Sequence, residues 1–193
     1  MFLIIKSILC VFADIIYLFC GKDLKALIDL DVSRNLKWDR NKDRLKGRLL
    51  RLNHLLLTKT EFRSIFYYRV KRHKCLTALS RIFLRDARAI EIGGEIGGGF
   101  IVSHYHSVIC PEKTGKNFRV GPGAVIDKAT FGDNVYVASN STVSGGIHIG
   151  SNVIIGAGSV VTGDLQDNGV YVGNPAKFIK NIDDNEALLN EIM

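Results

Sequence analysis

A hydrophobic residue recurs at nearly every sixth position between Ile90 and Val161. A period of six fits neither an α-helix nor a simple alternating strand, and it is typical of a parallel β-helix. The repeat therefore predicts a stack of coils whose periodic hydrophobes point toward the axis. A one-residue contraction lies between Ile126 and Phe131. The repeat positions are Ile90, Ile96, Val102, Val108, Thr114 (the one polar member), Val120, Ile126, Phe131, Val137, Val143, Ile149, Ile155 and Val161.

Composition divides the chain near residue 90. Seventeen of the 19 glycines lie between Gly93 and Gly173, whereas residues 34–88 carry 17 Lys or Arg against 4 Asp or Glu. We expect an α-helical N-terminal region over residues 1–88, a β-helix domain over 89–180 and a helical cap over 181–193. Within the first region, helices are predicted over Lys42–Leu57, Phe62–Val70 and Leu76–Leu84, the second opened by a capping box at Thr58 and Glu61.

The first twenty residues are apolar, although Lys6 and Asp14 interrupt the run. We expect a helix packed against its neighbours or another subunit. The alternatives are shallow insertion into the inner surface of a membrane and, least favoured, a true membrane span. The basic region after it allows contact with an anionic membrane or a polyanionic substrate, or simply solvated helix faces. It contains no nucleic-acid-binding motif, so nucleic acid is not a predicted partner. The polar residues of this helix form one stripe, Ser7, Cys10, Asp14, Tyr17 and Gly21.

The four cysteines are widely spaced and have neither C-x-x-C nor metal-ligand spacing. They predict buried thiols in a reducing compartment, hence a cytoplasmic protein, and no metal site. His54, in the basic region, is expected to be an ordinary surface group. The cysteines are Cys10, Cys20, Cys75 and Cys110.

Residues 110–118 fit the six-residue rhythm poorly. We expect this segment to loop out of the stack and to form part of an acceptor pocket, because loops on a rigid scaffold commonly carry substrate contacts.

Two stretches, IEIGGEIGGGFIVSH (Ile90–His104) and IGAGSVVTGDLQDNGVYVGNPAKFIK (Ile155–Lys180), resemble the hexapeptide-repeat acyltransferases. The similarity is to the serine acetyltransferase-like branch, which also contains O-acetyltransferases of bacterial surface polysaccharides. The segment Glu61–Val70 resembles a stretch that precedes the β-helix in the polysaccharide-associated members. The resemblance implies a mainly β fold, with a left-handed parallel β-helix after the helical region. It also implies acetyl-CoA as co-substrate and a homotrimer with active sites at subunit boundaries.

The resemblance assigns the general base to His104. An imidazole suits that role because the acceptor hydroxyl must lose its proton as it attacks the thioester, and a base with a pKa near the working pH serves best. His106 is the rival base. Glu91, or failing it Glu95, is the candidate group that orients the imidazole.

The resemblance also implies a coenzyme A site along the later coils. Small residues there would let the pantetheine arm approach the backbone, and a basic pair would meet the phosphates. The implied contact residues are Ser139, Ala157, Thr162, Lys177 and Lys180.

The chain departs from the true serine acetyltransferases at three places. Ser103 stands where they have an Asp before the base, Ala89 stands where they have the orienting Asp, and residues 128–130 lack their second histidine. We therefore expect a sugar hydroxyl of a bacterial surface polysaccharide as acceptor. The alternatives are O-acetylation of L-serine for cysteine synthesis and a non-catalytic β-helix scaffold that binds no coenzyme A.

Overall fold

The computed structural model describes residues 7–87 and 89–182. The chain forms two compact units, Met1–Arg88 and Ala89–Met193. The first is helical and the second is a parallel β-helix, and each is described by itself. The predicted helical cap over residues 181–193 lies outside the described residues, except for Asn181 at the end of a strand and the buried Ile182.

The helical unit has five α-helices in its described part. The leucines of the helix Arg48–Thr58 bury one face, with Leu52, Leu55 and Leu56 almost inaccessible. Spacings of three and four residues place such side chains on one side of a helix. The elements are a 3₁₀ turn at Ser7–Cys10, α1 Val11–Phe19, α2 Lys22–Leu36, a 3₁₀ turn at Lys42–Arg44, α3 Arg48–Thr58, α4 Thr60–Arg69 and α5 Lys74–Phe83.

Two predicted helix starts are wrong. The helix expected from Lys42 begins only at Arg48, because Gly47 before it has a φ of +92°, outside the helical region. The capping box at Thr58 and Glu61 does not form. Thr58 ends α3 and its hydroxyl donates to the carbonyl of His54, while α4 starts at Thr60 without a side-chain cap.

Buried polar pairs cross the helical unit. Arg69 donates two hydrogen bonds to the Asp31 carboxylate, at 2.8 and 3.2 Å, and both residues are buried. His54 is also buried, with Nε2 2.8 Å from Asp39 Oδ2. The expectation that His54 is a surface group is therefore wrong, because α3 is enclosed on the side that carries it.

Cys10, Asp14 and Tyr17 of the predicted polar stripe face inward, whereas Gly21 is exposed. Cys10 and Tyr17 are buried, Tyr17 donates a hydrogen bond to Asp29, and Asn53 donates one to Asp14. The opposite, apolar side of α1 is exposed, so the expected packing against neighbours holds for one side only. None of the described helices is both long enough and apolar enough to cross a bilayer.

The four cysteines are free thiols. Cys10 and Cys20 are buried as expected, and burial raises the pKa of Cys10 to about 12. Cys110 is half-buried. Cys75 is exposed, so the expectation of burial is wrong for that residue.

The second unit winds through five coils that stack in parallel. Its strands are β1 Ile90–Ile92, β2 Ile101–Val102, β3 Ser107–Cys110, β4 Lys113–Thr114, β5 Arg119–Val120, β6 Val125–Asp127, β7 Thr130–Phe131, β8 Val135–Val137, β9 Thr142–Ser144, β10 His148–Ile149, β11 Val153–Ile155, β12 Val160–Val161, β13 Gly169–Val172 and β14 Lys177–Asn181. They form three sheets in the orders β1-β3-β6-β9-β12, β10-β7-β4 and β14-β13-β11-β8-β5-β2. Among the described strands, only β14 is antiparallel to its neighbour, β13.

The axis of the coils is filled by most of the periodic hydrophobes, with departures at Ile90 and Val108. Ile90 is in register with Ser107, not with a residue of the repeat. Val108 is 38% exposed, whereas Ile109 is fully buried and lies in register with Ile92 and Ile126. The assignment of Val108 to the interior is therefore wrong. A rigid count of six selected Val108 because the turn before it is longer than its counterparts.

Residues 110–118 stay inside the stack, so the predicted loop is wrong. Within this segment β4 pairs with β7, and Thr114 is buried in register with Phe131. The Thr114 hydroxyl accepts a hydrogen bond from the Gly97 N–H and donates to the Gly115 carbonyl. A threonine can occupy this inward position because both of its hydrogen-bonding roles are satisfied.

We expect the close approach of neighbouring coils to make certain glycines indispensable. A Cβ at position 132 would lie 2.7 Å from the backbone nitrogen of Ser151. Gly132→Ala should therefore lower the free energy of unfolding by about 1–3 kcal/mol in urea titrations. Gly146→Ala is the control, since its Cβ would meet no atom within 4 Å. Equal stability of the two variants would contradict this account of the packing.

The half-buried Asp39 should make stability depend on acid pH. Burial opposes its ionisation, but the backbone N–H of Asn41 and the ring of His54 outweigh that and lower its pKa. A carboxylate with a lowered pKa stabilises the fold above its unfolded pKa of about 3.9, and this is lost as pH falls through the folded value. Below about pH 4, the wild type should therefore lose stability more steeply than Asp39→Asn. Urea titrations at several pH values test this, and Asp43→Asn, at an exposed site, should follow the wild type.

Candidate active site

The turn that carries both candidate bases is longer than its counterparts. Seven positions separate the inward Val102 from the inward Ile109, whereas six separate Val120 from Ile126 in the next coil. His104 and His106 both have left-handed backbone conformations, with φ of 65° and 67°. Both side chains belong to exposed residues. The extra residue is therefore accommodated in a turn that presents two imidazoles to solvent.

The His104 turn stacks on three further turns at the same corner of the β-helix. These turns follow β5, β8 and β11, and parallel backbone hydrogen bonds tie them together. Ser103 donates to Val120, Gly121 to Val137 and Ala138 to Ile155, each through its N–H. This ladder places Ser103, Gly121, Ala138 and Gly156 in one row.

The next residue of each turn forms a second row, and three predicted site residues fall in it. His104, Ser139 and Ala157 directly follow Ser103, Ala138 and Gly156, and Pro122 completes the row. Strands of a sheet lie about 4.8 Å apart, so Ser139 is two spacings and Ala157 three spacings from His104 along the stack. The structure thus brings the predicted base and two predicted coenzyme contacts to one edge, which we call the His104 edge.

Small residues keep the His104 edge tightly stacked. A Cβ at position 121 would lie 2.6 Å from the backbone nitrogen of Ser139. A Cβ at position 156 would lie 2.5 Å from a methyl carbon of Val172. Ser139 is half-buried and Ala157 is exposed, so the edge has no bulky side chain at these two positions.

Lys177 lies at the far end of the same edge. Val172 is beside Gly156, and it is paired with Lys177 in the antiparallel ladder of β13 and β14. Five strand spacings, about 24 Å, therefore separate the strand before His104 from the strand that carries Lys177. Lys180 is also on β14, opposite Val170, and both lysines are exposed.

Thr162 is the predicted coenzyme contact that the structure separates from this edge. It directly follows β12, whereas Ala157 precedes that strand. The His104 edge lies before the strands of the first sheet, whereas Thr162 lies after one of them. Thr162 is therefore separated by the width of a strand from the row of His104, Ser139 and Ala157.

Glu91 lies on β1, on the first sheet rather than in the His104 turn. It is in register with Val108, and its Oε1 is 4.0 Å from Cys110 Sγ. In the first coil, Ala89 lies beside the start of β3. Its carbonyl accepts a hydrogen bond from the Ser107 N–H. No carboxylate occupies position 89, and Glu91 lies two residues further along the strand.

Cys110 is unsuited to be a nucleophile at this site. Burial raises the pKa of its thiol, and the nearby carboxylates of Glu91 and Asp127 raise it further. A thiol held in its protonated form attacks a thioester poorly. Among the described residues, no group of three or more His, Cys, Asp or Glu side chains could hold a metal ion.

Sequence reasoning missed two features of the His104 edge. One is Tyr105, 43% exposed between the two histidines. The other is a column of left-handed positions, Gly123, Asn140 and Gly158, with His106 in the equivalent place before Ser107. Alignment of the coils by their small buried residues, rather than by the hydrophobes, would have revealed this column.

Comparisons with known proteins define the class of the second unit. A family model described as bacterial transferase hexapeptide (six repeats) matches residues 128–163. The fold is similar to that of a serine acetyltransferase from Neisseria gonorrhoeae, with a TM-score of 0.65 at 22% identity, over 86% of this chain and 69% of that one. The predicted fold, a left-handed parallel β-helix after N-terminal helices, is thereby confirmed.

Characterised relatives match a part of the chain. The galactoside O-acetyltransferase of Escherichia coli K12 is 42% identical over 57 residues, 30% of this chain and 28% of the relative. A tetrahydropyridine-dicarboxylate N-acetyltransferase of Staphylococcus aureus JH9 is 33% identical over 89 residues, 42% of this chain and 37% of the relative. The chain spans about a third of the length of such relatives. The match over residues 128–163 and these relatives confirm the resemblance to the hexapeptide-repeat acyltransferases seen in the sequence.

We expect Lys177 to hold the phosphate end of coenzyme A. Lys177→Ala should raise the Kd for coenzyme A about tenfold, because a charge-assisted hydrogen bond is lost. The Kd for pantetheine, which lacks the nucleotide phosphates, should not change. Lys113→Ala, on a different sheet and paired with Glu95, is the matched control for calorimetric titration. An equal loss of affinity for both ligands would contradict a phosphate contact.

Proposed function

We propose that this chain is an acetyl-CoA-dependent O-acetyltransferase that uses His104 as its general base. The observation that carries the proposal is the His104 edge, where His104, Ser139 and Ala157 each directly follow a residue of the backbone ladder and Lys177 lies at the end. An extended thioester lying along that edge would have its phosphates near a cation and its acetyl group near an imidazole. The names of the characterised relatives, both acetyltransferases, support this reaction class.

The chemistry follows from these positions. The His104 imidazole removes the proton of the acceptor hydroxyl as its oxygen attacks the thioester carbonyl. The C–S bond of the tetrahedral intermediate then breaks, and the departing sulfur receives the proton from the imidazolium. The product is an acetyl ester with free coenzyme A, and no covalent enzyme intermediate forms.

Glu91 is a positioning residue in this proposal. Its role is to favour the imidazolium that forms during attack, either directly or through a neighbouring group. Its place on the strand next to β3, two residues after Ala89, supports that role. His106 remains the rival base, because it has the same left-handed conformation in the same exposed turn.

We further propose a sugar hydroxyl of a bacterial surface polysaccharide as the acceptor. Ser103, Ala89 and residues 128–130 lack the groups that would recognise the charged ends of L-serine. The galactoside O-acetyltransferase among the relatives supports a sugar. A homotrimer is part of this proposal, since the family builds its sites between subunits. The free thiols favour the cytoplasm, and lipid-linked acceptors would place the enzyme at the inner face of the plasma membrane.

The test measures release of coenzyme A from acetyl-CoA in the presence of surface-polysaccharide oligosaccharides or L-serine. We expect turnover with an oligosaccharide, and a decrease of about 10²–10⁴-fold in kcat for His104→Ala, as for loss of a general base. His106→Ala should stay within a few-fold of the wild type.

Each other outcome selects an alternative. A large loss in His106→Ala with an active His104→Ala would make His106 the base. Faster turnover of L-serine would make the chain a serine O-acetyltransferase. If saturating coenzyme A does not raise the melting temperature, the β-helix is a scaffold that does not bind it.

A further inference from the structure

Helices α1 and α5 of the helical unit present an exposed apolar surface. The most exposed side chains are Phe19 at 80%, Ile8 at 74% and Ile82 at 66%. Monomeric proteins seldom leave so many large apolar side chains together in water, and such patches commonly mark a protein or membrane contact. We call this surface the apolar face; it comprises Ile8, Leu9, Val11, Leu18, Phe19, Leu79, Ile82 and Phe83.

The two helices form one continuous face. Phe12 of α1 stacks on Phe83 of α5, with ring centroids 6.0 Å apart. The contact joins the exposed side of α1 to that of α5.

Buried polar contacts fix which side of α1 faces outward. Tyr17 donates to Asp29 at 2.7 Å, and Asn53 donates to Asp14 at 3.1 Å. Rotation of α1 to bury Phe19 would break both contacts and expose the fully buried Ile16. The outward direction of the apolar side chains is therefore imposed by the rest of the unit.

Cations surround the apolar face. Residues 71–85, which include α5 and both of its ends, contain five Lys or Arg and no Asp or Glu, and one of the five, Arg81, pairs with Asp86 at 3.0 Å. Lys25 donates to the carbonyl of Leu18 at 2.7 Å, so another cation lies beside α1. The one acidic residue of α1, Asp14, belongs to the inward stripe. The cations of residues 71–85 are Lys71, Arg72, Lys74, Arg81 and Arg85.

We propose that the apolar face inserts into the headgroup region of an anionic phospholipid bilayer. An amphipathic surface with large apolar side chains and a basic border has the chemistry of a peripheral membrane contact. A second copy of the chain fits less well, because a symmetric contact through this face would bring like-charged α5 borders together. The inference specifies the surface for the membrane contact proposed above.

The experiment is sedimentation of the full chain with phosphatidylcholine vesicles that contain or lack phosphatidylglycerol. The wild type should bind the anionic vesicles, bind the neutral ones less, and lose affinity as salt increases. The double variant Phe19→Ser/Ile82→Ser should lower the partition coefficient by about tenfold or more, since it removes the most exposed apolar side chain of each helix. Leu30→Ser, at an exposed leucine of α2 outside the face, should bind like the wild type.

Two controls keep the outcome clear. Circular dichroism shows whether the double variant keeps its helices, and sedimentation equilibrium without lipid reports the mass of each assembly. Failure of the folded wild type to bind anionic vesicles overturns the proposal. A halved assembly mass in the double variant, without vesicle binding by the wild type, would show that the face joins copies of the chain. The vesicle assay involves no acetyl transfer, so its failure is distinct from failure of the proposed reaction.

Discussion

The stacking of parallel coils at the spacing of a β-sheet is the constraint on which the second unit depends. Because each strand must pair with the strand one coil away, the turns at a given corner must begin and end in register with one another. Little space remains between turns, as the 2.6 Å approach of a Cβ at position 121 to the Ser139 backbone shows. The same constraint aligns residues that are far apart in sequence. His104 and Ala157 share an edge because each directly follows the residue that continues a paired strand.

The six-residue repeat predicts this fold well but does not locate its irregularities. Between the second and third sheets the spacing of inward residues is always six, as from Ile96 to Val102 and from Phe131 to Val137. The corner between the third and first sheets varies instead, with seven positions from Val102 to Ile109 and six from Val120 to Ile126. Val108 and Ile109 are adjacent hydrophobes, so a count of six from Val102 stops at Val108 and does not detect the extra residue of the turn. The structure resolves the phase because only Ile109 lies in register with Ile126.

The helical unit shows a different limit of sequence reasoning. Periodicity correctly groups Cys10, Asp14 and Tyr17 on one side of α1, but it does not say which side faces inward. Partners that are distant in sequence decide that, since Asn53 of α3 and Asp29 of α2 hydrogen-bond to the polar stripe. The prediction that His54 is a surface group is wrong for the same reason. A basic surrounding sequence says little about a residue whose burial depends on a contact with Asp39.

The backbone of the His104 turn connects the fold to the chemistry. At the equivalent place in the next three coils the left-handed residue is Gly123, Asn140 or Gly158, residue types that adopt this conformation at low cost. Histidine also adopts this conformation more often than most side chains, although less readily than glycine. Left-handed conformations of ordinary residues persist where the surrounding structure imposes them, and they are frequent at functional sites. The extra residue of the turn then has a physical role: His106 takes the left-handed place that the next three coils give to Gly123, Asn140 and Gly158, while His104 stays in the row of Ser139 and Ala157.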